Sequence, residues 1–301
     1  MNTHFAKLTA VVWLASCLLV AAANAQDMPS DYAQVLKIVD KTGDYKSNVL
    51  KVNVPRSDLH MTVNNLALPT AFGFGGWFSM TKGDDGQDVM MGDLVLLQEE
   101  VNPVMSALLD NGLEVTALHN HFFWDNPRVF YMHIHGHGKP VELAQRIKPA
   151  LELIAKGQPK AAPSNPASAK TALDTAQIAK IVGHDGEQNG AVYKITVGRD
   201  DVKLKEMGAT INSRMGLNTW AAFYGTNEDA AIAGDIAMLE GEVAPTLKAL
   251  RSHGFDVVAI HNHMIETQPM IVFLHYWGRG SAPQLANGFK AALDQLGKRD
   301  K

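Results

Sequence analysis

Apolar and polar positions along this chain change period in blocks, and the series of blocks occurs twice. Helical spacing over residues 32–39 gives way to strand-like alternation over 49–54. Further on, the pattern predicts a strand over 93–98, a helix over 102–111 closed by Gly112, strands over 114–120 and 128–135, and a helix over 140–155. The same order returns as a helix over 175–182, a strand over 191–197, a strand over 236–239, a helix over 244–253 closed by Gly254, strands over 256–262 and 270–276, and a helix over 282–296. Helices mixed with antiparallel hairpins predict an α+β fold: two tandem homologous domains, each a mainly antiparallel sheet packed with helices.

The duplication is also written in single residues. ALHNH at 117–121 returns as AIHNH at 259–263, so His119, Asn120 and His121 fall on His261, Asn262 and His263 at an offset of 142 positions. At the same offset His133 falls on His275, Gly92-Asp93 on Gly234-Asp235, and Glu100 on Glu242, while Trp77 matches Trp220 one position further along. Between the copies the stretch KGQPKAAPSNPASAK has no apolar period and reads as a solvated linker. The expected organisation is therefore a first repeat over 31–155, a linker over 156–172 and a second repeat over 173–297.

Residues 1–25 stand apart from the fold. One lysine, an apolar run over 8–23 and Ala23-Asn24-Ala25 before Gln26 describe a secretory signal peptide, so the protein is expected in the periplasm or secreted, with no transmembrane segment in the mature chain. Leu14-Ala15-Ser16-Cys17 offers the rival reading of a lipid anchor through Cys17, which would cut the apolar run midway. Cys17 is the only cysteine, so cleavage after Ala25 leaves a chain without disulfides, thiolate nucleophiles or cysteine metal ligands. The net charge of −4 provides no electrostatic footprint for nucleic acid.

Candidate chemistry concentrates on histidine. Alternate side chains share one strand face, which puts His119 with His121, His133 with His135, and, if the hairpin sets His119 opposite His133, three imidazoles in one patch. The second repeat offers His261, His263 and His275 in the same way. Neutral imidazoles on a rigid sheet suit a divalent transition metal, Zn²⁺ first and Cu²⁺, Ni²⁺ or Fe²⁺ as alternatives. The blander account is strand histidines hydrogen-bonded to backbone or carboxylates; repetition of the whole set in both copies favours ligation. His135 and His137 extend the supply in the first repeat, where the second has Trp277 and Arg279, an aromatic wall and a cation suited to an anionic group. Arg56 with Asp58, and Arg199 with Asp201, read as local ion pairs or, less simply, as ligand-pocket residues. Glu100 and Glu242 begin helices, where the dipole alone favours a carboxylate; a general base or a further ligand is the alternative.

The strings VPRSDL (54–59), GDLVLLQEEVNPVMSALLDNGLEVTALHNH (92–121) and PRVFYMHIHGHG (127–138), with their counterparts over 234–263 and 268–280, resemble the LppY/LpqO family of exported bacterial proteins. The resemblance covers nearly all of both repeats and departs at Gly198, where the first repeat has Pro55, and at Trp277. It implies an exported, sometimes lipid-anchored domain of unknown function. A cupin, for which Gly254, His261, His263, Glu266 and His275 loosely fit the metal motif, is disfavoured because the first repeat has Trp124 in place of the glutamate and each copy carries too much helix. Three functions follow: an exported metal-binding protein, a metal-dependent hydrolase, or a metal-free envelope protein that binds small molecules or serves structure.

Overall fold

The computed structural model describes residues 26–156, 172–265 and 267–297. The expected signal peptide, nearly all of the linker and Glu266 lie outside them.

Each repeat is one six-stranded sheet with three helices on one face. In the first, helix α1 (Ser30–Val39) precedes β1 (Gly43–Lys46), β2 (Val49–Pro55), a small hairpin β3 (Met61–Val63) and β4 (Leu66–Leu68), then β5 (Gly75–Lys82) and β6 (Asp88–Leu97). Helix α2 (Gln98–Asp110), β7 (Glu114–His119), the short β8 (Asp125–Asn126), β9 (Val129–Gly138) and α3 (Pro140–Leu151) complete it. The second repeat runs α4 (Thr175–Val182), β10 (Gly186–Asn189), β11 (Val192–Gly198), β12 (Leu204–Glu206), β13 (Ala209–Ile211), β14 (Asn218–Gly225), β15 (Ala230–Leu239), α5 (Glu240–Ser252), β16 (Asp256–His261), β17 (Ile271–Gly280) and α6 (Ala282–Leu293). The sheet orders are β1-β2-β5-β6-β9-β7 and β10-β11-β14-β15-β17-β16, the same topology twice, as the duplicated pattern requires.

The two faces of each sheet bury different things. Met132 and Ile134 of β9 join Val35, Val104 and Ile147 of the helices in one core, and Leu274 and Tyr276 of β17 join Ile178, Leu250 and Phe289 in its counterpart. The opposite faces meet each other. Two apolar clusters, one containing Val129, Tyr131, Ala231 and Trp277 and the other Val89, Met91, Ala237 and Phe273, mix residues of both repeats. The result is four layers, helix–sheet–sheet–helix, which explains why β6 and nearly all of β15 are buried along their length.

A buried ionic knot ties each sheet to its helices. The Arg56 guanidinium donates to Glu100 Oε2 (2.6 Å), to the Val95 carbonyl (2.9 Å) and to both Asp58 oxygens (2.8 and 2.9 Å). Glu100 also accepts from the backbone N–H groups of Leu97 and Ala155, both at 2.7 Å, and so closes the first turn of α2 while pinning the end of the repeat. Arg199, Asp201 and Glu242 repeat the arrangement, with Glu242 accepting from Leu239 and Gly297. Both oxygens of Glu100 and of Glu242 already accept two hydrogen bonds each within the protein. Glu100→Ala is expected to lower unfolding free energy by about 3–5 kcal/mol, because it strands a buried guanidinium, and Glu242→Ala by a similar amount; denaturant titration of the two variants measures this.

Candidate functional site

Six histidines, three from each repeat, meet between the sheets. The registers show how. Trp77 pairs with Asp93, Asp93 with His133, and His133 with Ala117, so one row crosses β5, β6, β9 and β7 on the face toward the other repeat. Trp220, Asp235, His275 and Ala259 form the equivalent row. His119 stands opposite Tyr131, not opposite His133 as the simplest hairpin would have it; the two-residue difference keeps both histidines on one face.

The grouping differs from the expected one site per repeat. His119, His261 and His275 bring ligand nitrogens within 4.8 Å of one another, as do His133, His261 and His263. Each third histidine therefore comes from across the interface. His119 Nε2 lies 3.2 Å from His275 Nε2 and 3.1 Å from His121 Nε2. Rings stack across the interface with centroids 3.8 Å apart for His119 and His261, 3.5 Å for His121 and His275, and 3.9 Å for His133 and His263. This reciprocity is the mark of an approximate twofold relation between the repeats.

The Gly-Asp pair repeated at 92–93 and 234–235 acquires a purpose here. The Gly92 carbonyl lies 3.3 Å from His133 Nδ1 and the Gly234 carbonyl 3.2 Å from His275 Nδ1. With the proton held on Nδ1, the Nε2 lone pairs face the cluster, the orientation in which metal-binding imidazoles are usually fixed. Asp93 Oδ2 is 3.8 Å from His121 Nε2, and Asp235 Oδ2 is 3.5 Å from His263 Nε2. Burial holds all six imidazoles neutral: it depresses His119, His121, His133, His263 and His275 below the ordinary histidine value and brings His261 down to about 3, reinforced by neighbouring rings. Burial also raises both aspartates, Asp235 to about 7.

A cavity of about 510 Å³ opens beside the cluster and is lined by His121, His133, His263 and His275 together with both aspartates. Trp77 and Trp220 wall it. Each tryptophan edges against a glycine of the other repeat, Gly216 and Gly73 respectively, where a Cβ would sit 3.2 and 3.6 Å from the indole. Lys51 and Lys194 also line it, with ammonium groups 4.4 and 4.1 Å from the indole centroids.

The remaining expected residues lie elsewhere. His135 Nδ1 is 3.2 Å from Glu206 Oε1 of the second repeat and His137 Nε2 is 3.1 Å from Asp85, so neither joins a ligand group. Trp277 is not a pocket wall: it is 4% exposed and packs edge-on against Phe72 and Phe122. Arg279 is held by Asp229 through two 2.8 Å bonds at the surface. Arg56, Asp58, Glu100 and Glu242 do not line the cavity, and Arg199 with Asp201 borders a separate recess of about 220 Å³. Sequence reasoning passed over Lys51 and Lys194, although they recur at the offset of the tryptophans; Asp93 and Asp235 were seen as repeated without a role.

The family model described as Domain of Unknown Function (DUF1259) matches residues 33–153 and again 176–295. The chain belongs to this family, in two tandem copies. No curated protein matches it. Among solved structures, a trimeric bacterial microcompartment shell protein, PduB, aligns at 11% identity over 84% of this chain and 93% of its own, with a TM-score of 0.20. EtuB from Clostridium kluyveri aligns at 11% identity over 85% and 91%, also at 0.20. Agreement at that level carries no argument about this family's function. No helix among the described residues is long and apolar enough to cross a membrane.

Proposed function

We propose that this protein is an exported transition-metal-binding protein whose site is shared between its two repeats. The observation that carries the reading is the 3.1 and 3.2 Å approach of His121 and His275 to a single atom, His119 Nε2. A ring nitrogen has one proton or one lone pair in its plane, so two such contacts cannot both be good hydrogen bonds. A metal held by His119, His261 and His275 resolves the conflict: nitrogens bound at about 2.0–2.1 Å in a tetrahedral array sit roughly 3.3 Å apart, and His121 then no longer competes for the His119 lone pair. Buried nitrogens of His133, His261 and His263 likewise have no hydrogen-bond partner among the described residues, which an ion would satisfy. An all-imidazole set favours Zn²⁺, with Cu²⁺, Ni²⁺ and Fe²⁺ able to use the same ligands. Export rests on the signal-like first 25 residues and on the LppY/LpqO resemblance.

Elemental analysis of untagged protein, followed by titration of chelator-treated protein with Zn²⁺, is expected to give a stoichiometric, chelator-reversible ion. Protein that remains metal-free and takes up no Zn²⁺ at micromolar concentration would return the histidines to a packing role.

The open cavity favours a second reading, metal-dependent hydrolysis, because a three-imidazole ion beside solvent retains a position for water. Asp93 and Asp235, which share that cavity, replace Glu100 and Glu242 as the carboxylates placed to serve it. Turnover of esters, phosphates or glycosides by the metal-loaded protein, abolished by His119→Ala, tests it.

A further inference from the structure

The cavity has a second chemical end. Lys51 and Lys194 hold their ammonium groups over Trp77 and Trp220, deep enough that burial lowers both lysines to about 8. Neither ammonium has a carboxylate within ion-pair distance among the described residues, whereas Arg214, on the same wall, is held by Asp44 at 2.7 Å. The acidic residues in the lining are Asp93 and Asp235 at the histidine end and Asp185 and Glu187 of the second repeat. Two half-buried ammonium groups, placed by two strands at equivalent positions, each cross-strand from an acidic residue (Asp44 and Glu187) that forms no salt bridge with it, face one cavity in which an anion would complete their pairing. The stacked indoles stabilise the cations and fix where they point, but an aromatic face supplies no charge to balance them.

We propose that Lys51 and Lys194 form an oxyanion subsite, and that the cavity takes a small organic acid or phosphate compound whose anionic group sits between the two ammonium groups. A cavity of about 510 Å³ has the size of a small-molecule site. Its opposite end is the histidine cluster, so a ligand carrying two anionic groups can reach both. The subsite itself is independent of the metal reading.

Two probes separate the possible sources of the anion: inorganic phosphate and succinate, titrated calorimetrically into chelator-treated full-length protein. At least one is expected to bind, and Lys51→Met with Lys194→Met to weaken it tenfold or more while leaving metal stoichiometry unchanged. Methionine keeps a stem of similar shape against the indole, so folding should survive. If the double variant does not fold, wild-type protein still gives an answer, since the better probe should slow cyanate carbamylation of Lys51 and Lys194 severalfold relative to surface lysines by peptide mass spectrometry. Absence of binding by both probes, undiminished binding in the double variant, or unprotected lysines would overturn the assignment. So would binding that His119→Ala abolishes and the lysine substitutions leave intact, because the anion would then be sitting on the metal.

Discussion

His261→Ala is expected to cost the protein more metal than any other single histidine substitution. His261 belongs to both groups of ligand nitrogens, one with His119 and His275, the other with His133 and His263. Its loss leaves two imidazoles in each, and affinity should fall by well over the roughly 10–100-fold that removing a supporting partner of a ligand produces. The shared arrangement makes a sharper demand on pairs. His119 and His275 come from different repeats, yet their Nε2 atoms are 3.2 Å apart, so His119→Ala and His275→Ala should release the same ion and the double variant should lose no more than the worse single one. Were each repeat to hold its own ion, the two substitutions would strip different ions and their losses would add. Metal content per chain, measured on the two singles and the double, decides between these. Additive losses would rule out the composite site.

That arrangement could not be read from the sequence, although its ingredients could. The period of two fixed which side chains share a face, so His119 with His121 and His261 with His263 were legible without a structure. The order of helices and strands was legible too, because the duplicated pattern let each copy support the other. What local pattern cannot encode is which sheet face meets which. His275 reaches His119 only because the apolar faces around Tyr131 and Phe273 pack against the other repeat, a choice made by the whole surface. Trp277 misled for the same reason. It replaces a histidine at the repeat offset and so looked functional, but it lies in the apolar cluster that also holds Val63, while His135 faces Glu206 at the equivalent place. One polar pair and one apolar pair thus fill matching positions. Lys51 and Lys194 escaped notice because a lysine in a strand reads as an outward side chain; a tryptophan diagonal to it and a second sheet above it turn that lysine inward.

Acid should unfold the metal-free protein over a narrow and unusually high range, beginning just below pH 6.5. The unfolded chain takes up a proton at each histidine near that value, whereas the folded state holds His119, His121, His133, His261, His263 and His275 below it. A group whose pKa is depressed by folding contributes its stability in full above the unfolded value and loses it as pH falls toward the folded one. Asp93 and Asp235 act in the opposite direction, since their raised pKa values let the folded state bind protons first, from about pH 7 downward at Asp235. Six groups against two leaves the unfolded state the stronger proton acceptor. Each imidazole that stays neutral in the folded state steepens the loss of stability below pH 6.5, and the whole stability of an ordinary domain is only on the order of 10 kcal/mol. Bound metal changes the outcome, because an ion holding the imidazole lone pairs must be displaced before protons can enter, and it stabilises the folded state in proportion to the logarithm of its free concentration. Chelator-treated protein should therefore lose its denaturant midpoint steeply between pH 6.5 and 5, and saturating Zn²⁺ should move that loss to lower pH. A midpoint that stays flat from pH 7.5 to 5 in the absence of metal would mean that the six imidazoles take up protons in the folded state as freely as they do in the unfolded chain.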